Sequence, residues 1–243
     1  MDKFEYNLQL AEQGDADAQN YIGLCYVNGD GVEQDFEKGF YWFLKSAEQG
    51  FAKGQNNVGY SYFYGEGVEQ DYEKAIEWYL KAAEQGDEKA QFNLSSCYYN
   101  GTGVKQDYKK AFEWCKKSAE QGDMRAQLNL GTCYYNGKGV NEDYAKALEW
   151  YLKAAEQGDT EAQKYIAFGY ENGDWLDQDY YSAFEWFLKA AEQGDPEAEF
   201  YVGYYYYNGQ GVEKSLEKAY EWLKTAADDG DGNAARFLQK NKF

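Results

Sequence analysis

Histidine is absent from the 243 residues of this chain, and the four cysteines include no C-x-x-C pair. Without histidine a nucleophile would need an unusual base, and a zinc site loses its commonest nitrogen ligand. Neither an enzyme nor a metal or other cofactor is therefore expected. No run of about 18 apolar residues occurs, which excludes an ordinary transmembrane helix and any membrane insertion through one. The opening Met1-Asp2-Lys3-Phe4-Glu5-Tyr6 has neither the basic start nor the apolar segment of a signal peptide, so a cytoplasmic location is expected. Positive charge is scarce, with 24 basic residues against 43 acidic ones and a net charge of −19. Such a chain repels nucleic acid and anionic membrane surfaces. Its charge either attracts a basic partner or only keeps the surface soluble.

Aromatic residues are abundant, at 26 Tyr, 14 Phe and 7 Trp, and hydrophobic residues make up 44% of the chain. That is enough core to argue against intrinsic disorder. One sentence of sequence recurs: A-E-Q-G-D-x-x-A-Q-x-x-(I/V/L)-G-x-x-Y-x-N-G-x-G-V-x-Q-D-Y-x-K-A-x-E-W-x-L-K-A. Copies begin at Ala11, Ala47, Ala83, Ala119, Ala155 and Ala191, always 36 residues apart, and a seventh starts at Ala227 and stops half-way. A strict period of this size predicts a solenoid of helical pairs, each resting on its neighbours. The expected fold is all-α and spans residues 1–243 as a single domain. Its repeats are 11–46, 47–82, 83–118, 119–154, 155–190 and 191–226, with half-repeat caps at 1–10 and 227–243, giving about 14 helices.

In the copy from Ala83 to Ser118, Asp87 is placed to cap a first helix, A, whose Ala90, Leu94, Cys97 and Tyr98 share one face. Asn100-Gly101 closes it, because glycine takes the left-handed conformation that ends a helix. Val104 plugs the turn from below. Asp107 caps a second helix, B, with Tyr108, Ala111, Phe112, Cys115 and Ala119 as its apolar stripe. Helices of 14–16 residues are expected, marginal alone in water, so stacking must stabilise them. The carboxylates Asp35, Asp71, Asp107, Asp143 and Asp179 all fall at the capping place, which argues for structure rather than acid–base chemistry.

Gly59, Gly131 and Gly203 sit in mid-helix in the same place of their repeats. A large helix B side chain packed over bare backbone is the expected reason, with Trp42, Trp78, Trp114, Trp150, Trp186 and Trp222 as candidates. Cys25, Cys97 and Cys133 share another place. Equivalent Cα atoms of adjacent repeats lie roughly 8–10 Å apart, too far for a disulfide, so free buried thiols are expected.

From Asn129 to Gly158 the string N-L-G-x-x-Y-x-N-G-x-G-V-x-x-D-Y-x-K-A-x-E-W-x-x-K-A-A-E-Q-G closely resembles the Sel-one-like repeat (SLR) family, relatives of the tetratricopeptide repeat. The likeness covers essentially the whole chain. It implies a right-handed superhelix of antiparallel helix pairs with helix A lining the concave side, in an adaptor or scaffold that holds other proteins. Some bacterial members resemble toxin-neutralising immunity proteins. The paired cysteines of the secreted branch are replaced here by alanine, as at Ala119 and Ala126.

Positions that differ between copies are free to specify a partner. On helix A the face opposite the core carries Tyr60, Phe63, Phe92, Tyr99, Leu128, Tyr135, Phe168, Phe200, Tyr204 and Tyr207, where polar residues would suit water better. Beside it run Asn57, Asn93 and Asn129. These asparagines either clamp a peptide backbone or bond to the neighbouring helix, and the aromatic rows either meet a partner or pack between A helices. In the fifth turn Trp175 replaces the second glycine, as a contact or as local packing. The function expected is an adaptor whose groove binds a segment of another, basic protein, from a chain expected to be monomeric. The alternative is an acidic intracellular immunity or inhibitor protein that neutralises a basic toxin or enzyme.

Overall fold

The structure is a computed structural model and describes residues 2–241. Met1, in the opening cap, and Lys242 and Phe243, in the closing one, lie outside the described residues. Among the described residues there are fourteen α-helices. The odd-numbered ones are B helices: α1 Lys3–Glu12, α3 Phe36–Glu48, α5 Tyr72–Glu84, α7 Tyr108–Glu120, α9 Tyr144–Glu156, α11 Tyr180–Ala191 and α13 Leu216–Asp228. The even-numbered ones are A helices: α2 Ala16–Asn28, α4 Ala52–Tyr64, α6 Glu88–Asn100, α8 Met124–Asn136, α10 Thr160–Asn172, α12 Pro196–Asn208 and α14 Gly232–Asn241. The fold is an all-α solenoid of antiparallel helices arranged in repeats. Most helices have 13 residues rather than 14–16, because the capping residue and the closing residue both stand outside the helical run.

Local chemistry fixes the helix ends. Asp35, Asp71, Asp107, Asp143 and Asp179 each accept a hydrogen bond from a backbone N–H of the first turn of a B helix. For Asp35, Asp71 and Asp143 these amides and the lysine three residues on hold the carboxyl below its ordinary range. The A helices close on left-handed glycines such as Gly65 and Gly101, each at φ 74°.

The described chain forms two compact units, Met1–Ala126 with Lys138–Val140, and Gln127–Gly137 with Asn141–Phe243. Within the first, each A helix packs most extensively on the B helix that follows it, α2 on α3, α4 on α5 and α6 on α7. The second unit repeats this with α10 on α11 and α12 on α13. The cores are layers of alanine with one or two larger residues per helix, such as Leu94 of α6 and Ile76 and Tyr79 of α5. All four cysteines are free and buried. Burial pushes the Cys97 thiol up to about 12 and the Cys133 thiol up to about 11, so both stay protonated and inert.

The mid-helix glycines do receive a large side chain, but not the tryptophan. A Cβ on Gly59 would stand 2.6 Å from Tyr79, and one on Gly131 would stand 2.6 Å from Tyr151. At Gly203 the neighbour is Leu223. The seat belongs to the residue after each tryptophan, about 100° further round helix B. The tryptophans are half-buried instead and pack on the preceding layer, Trp78 against the Phe43, Ala47 and Val58 cluster and Trp114 against the Ala75 to Cys97 cluster. Four of them, Trp78, Trp114, Trp150 and Trp186, are covered by the lysine three residues on, as Lys81 over Trp78 at 4.0 Å and Lys153 over Trp150 at 3.8 Å.

A glutamine relay ties three successive helices together. Gln19 of α2 donates to the Ala11 carbonyl at the end of α1 and accepts from Gln49 at the end of α3. The side-chain pair recurs as Gln85 to Gln55, Gln121 to Gln91, Gln157 to Gln127 and Gln193 to Gln163, at 2.7–2.9 Å. The inner bond recurs from Gln55, Gln91 and Gln163 to the carbonyls of Ala47, Ala83 and Ala155. At the next such place the chain has Glu199 and Asp229. Glu199 is 3% exposed and its Oε2 has no hydrogen bond among the described residues. Burial, with Asp229 and Asp195 adding repulsion, raises its pKa. Only the protonated acid can donate as the other glutamines do.

Two stability measurements check these contacts. Gly59→Ala should destabilise the fold, because overpacking against Tyr79 costs about 1–3 kcal/mol and the helix-propensity gain of about 1 kcal/mol does not offset it. Denaturant unfolding would read this, and an unchanged or raised stability would contradict the tyrosine seat. Glu199→Gln should stabilise the fold at pH 8 by about 1–3 kcal/mol, the usual cost of an unsatisfied buried polar group. The sign follows from linkage: the native state holds the proton more tightly, so wild-type stability falls as pH rises from the ordinary glutamate range through the raised value. The variant should lose that slope; equal pH profiles would show that Glu199 is not the strained member.

Candidate partner-binding surface

In the first unit, α4 carries Asn57, Tyr60 and Phe63, and α6 carries Phe92, Asn93 and Tyr99. The Asn57 side-chain amide donates to Asn20 at 2.7 Å, and that of Asn93 donates to Asn56 at 3.1 Å. Of the two readings of these asparagines, bonding to the neighbouring A helix is the one realised at both places. Asn57, Tyr60 and Asn93 still line one cleft of about 620 Å³, together with Leu24, Val27, Lys89 and Arg125. Tyr60 and Tyr99 are 42% and 38% exposed. Phe63 is half-buried, edge-on to Tyr72 at 5.1 Å, and Tyr99 stands edge-on to Tyr108 at 5.2 Å. Phe92 lies beneath the Arg125 guanidinium at 4.3 Å.

In the second unit, Leu128 and Tyr135 of α8 are half-buried and Asn129 is exposed. Phe168 of α10 turns into the core, with Phe187 and Tyr201 both at 5.0 Å. Phe200, Tyr204 and Tyr207 of α12 gather on Phe237 of the closing helix α14, at 6.2, 5.9 and 5.1 Å. Beyond Asn129 the asparagine row does not continue. Its place is taken by Tyr165 and Tyr201, which stack on Tyr151 and Phe187. Thus the sequence-derived positions separate into exposed ones (Tyr60, Tyr99, Asn129), half-buried rim positions, and Phe168, which is mainly packing.

Two charged positions on this face were not among the expected site residues. Lys164 is buried and meets Glu161, Asp195 and Glu197 at 2.7–3.0 Å. Burial works against its charge, but the three carboxylates prevail and raise its pKa. Glu171 is half-buried, and burial raises its pKa, offset in part by the nearby Tyr205. The only signal for either was a charge in rows that are otherwise apolar or polar-neutral.

The model of the Sel1 repeat matches residues 16–51, 52–87, 88–123, 125–159, 160–195 and 196–231. The chain belongs to the Sel1 repeat family. Its period is counted there from helix A, which shifts the repeat boundaries by about five residues without changing the architecture. A protective antigen present in uropathogenic Escherichia coli strains, displaying an SLR fold, is similar at 35% identity and a TM-score of 0.92. The match covers 96% of this chain but 50% of that one, so the present chain spans half the length of that relative. A Sel1 repeat protein from Oxalobacter formigenes is 39% identical over 88% of this chain and 86% of its own, with a TM-score of 0.76. An immunity protein from Pseudomonas aeruginosa shares the fold at 20% identity and a TM-score of 0.51, over 88% of this chain and 81% of that one. No curated protein matches the chain. The Sel1 repeat is a fold suited to binding another protein or peptide. Among the described residues no helix is long and apolar enough to cross a membrane.

Within the Sel1 array the fifth copy is the exception. At Gly67, Gly103, Gly139 and Gly211 the second turn glycine lies against the first residue of the preceding B helix; a Cβ on Gly67 would strike the Phe36 carbonyl. Trp175 cannot enter that space. Its indole lies instead over Gly169 of α10, where a Cβ would stand 2.5 Å from the ring. It also contacts Tyr135 at 5.6 Å and Tyr151 at 6.0 Å. The place of Gly169 holds cysteine or serine in the first four copies, so the glycine makes room for the indole. Trp175 is half-buried local packing. Trp175→Ala should therefore lower stability by about 1–3 kcal/mol, less than the 3–5 typical of a fully buried tryptophan. Thermal unfolding decides: an unchanged Tm would mean that the indole packs on nothing.

Proposed function

We propose that this chain is a protein-binding Sel1 module whose partner is a folded, basic protein, covered in the manner of an inhibitor or immunity protein. The observation that carries the reading is the aromatic face of the A helices. Tyr60 and Tyr99 keep about two-fifths of their surface exposed on helices whose opposite face is fully packed. Tyrosine supplies a large rigid contact area with a polar tip, and its exposure in rows marks a surface that is finished by a partner.

Two further facts favour a folded partner over an extended peptide. The Asn57 and Asn93 amides, which would have held a peptide backbone, donate to Asn20 and Asn56 instead. The net charge of −19 would steer a cationic protein into place over long range, and raising the salt concentration should slow that association. The fold is also that of the Pseudomonas aeruginosa immunity protein, which lends its role as a model and not as a finding about this chain.

The test is to purify the chain from its native source with whatever co-elutes, then rebuild the complex from purified components. The expected result is a one-to-one complex with a folded protein of high isoelectric point. Tyr60→Ala combined with Tyr99→Ala should weaken it at least tenfold, about 1.4 kcal/mol, with Tm unchanged. Weak binding to many unrelated peptides, or a complex indifferent to both tyrosines, would overturn the reading.

A further inference from the structure

In the second unit a cleft of about 600 Å³ opens between the end of α10, the start of α11 and the outer face of α12. Its walls are aromatic, formed by Tyr180, Phe200, Tyr201 and Tyr204, and Glu171 stands among them. In the same place of the other copies the residue is Val27, Phe63, Tyr99, Tyr135 or Tyr207, so the carboxylate is peculiar to this copy. No cation pairs with it among the described residues. That contrasts with Lys164 seven residues earlier, which is matched by three carboxylates. Beneath Glu171 the Tyr205 hydroxyl is buried without a hydrogen bond of ordinary geometry. Burial raises the Glu171 carboxyl, so an incoming positive charge would gain from a carboxylate that water already solvates poorly.

We propose that this cleft is the seat for an arginine side chain of the protein partner. A guanidinium is planar, offers a fork of N–H donors to one carboxylate, and stacks its faces on aromatic rings. Tyr201 and Tyr204 supply the rings, Glu171 supplies the acceptor, and the side chains of Asn172 and Gln210 at the rim have carbonyl oxygens for the outer N–H groups. A lysine ammonium meets the charge requirement but not the planar one. An anion or an apolar side chain meets neither.

The proposal rests on the reading of the chain as a binder of basic proteins, yet it can be tested without a partner. The full chain would be titrated with N-acetyl-arginine amide and followed by two-dimensional NMR, with the citrulline and lysine analogues as controls. Shifts should cluster at Glu171, Tyr180, Tyr201 and Tyr204. The arginine compound should bind at least tenfold more tightly than citrulline, its neutral isostere, and more tightly than lysine. Glu171→Gln, which removes a half-buried charge and so should not unfold the chain, should abolish the preference for arginine over citrulline; Tyr204→Leu should weaken both. Equal binding of arginine and citrulline, shifts elsewhere, or indifference to Glu171→Gln would overturn the site. A basic partner that binds the Glu171→Gln variant as well as wild type would overturn the site but leave the partner reading standing. An arginine-selective cleft in a chain that binds no basic protein would do the reverse.

Discussion

A thirteen-residue helix is marginal by itself in water, so the packing of each helix on its neighbours within a unit carries this structure. The side-chain amide relay between glutamines thirty residues apart fixes the register of that packing, because each pair joins an A helix to the B helix that follows it, and Gln19, Gln55, Gln91 and Gln163 also bond back to the B helix before. In Gln19, Gln55, Gln91 and Gln163 both groups of the amide are used, one as donor to a buried carbonyl and one as acceptor. That arrangement leaves no polar group stranded in a layer otherwise built from alanine. The junction at Glu199 shows what the relay prevents, since a carboxylate cannot donate and is left with an oxygen unbonded.

Because the relay and the alanine layers face inward, the opposite side of helix A is released from packing duties. Repeats of one period nevertheless differ there from copy to copy. Some positions have been drawn back into local structure, as Phe168 into the core and Lys164 into a knot of carboxylates. Others, such as Tyr60 and Tyr99, remain outside. A surface that is aromatic without being buried, on an acidic chain, has the character of an unfinished protein–protein interface.

Helix limits, turns, caps and the repeat itself were legible in the sequence, because each depends on neighbours a few residues away. Asp107 before a periodic run and Gly101 after one announce their roles without reference to the rest of the chain. What was not legible depended on direction or on a distant partner. Trp78 and Tyr79 are adjacent and both aromatic, and only the angle between them on the helix decides which one covers Gly59. Asn57 could equally face a ligand or a helix until Asn20 was seen beside it. Trp175 looked free because its compensation, Gly169, is an unremarkable residue six places earlier. The glutamines were visible in the first five copies, but a recurring polar residue in a helix gives no hint of its partner thirty residues away.

Whether a binding surface exists depends on which tyrosines face water and which are sealed inside the core. Hydroxyl-radical footprinting with mass spectrometry reads this residue by residue. Tyr60 and Tyr99 should be modified readily while Tyr79 and Tyr151 are protected, and adding the basic partner should protect the first pair as well. Protection of Tyr60 and Tyr99 in the free chain at the level of Tyr79 would mean that the aromatic face is interior, and the proposed binding surface would not exist.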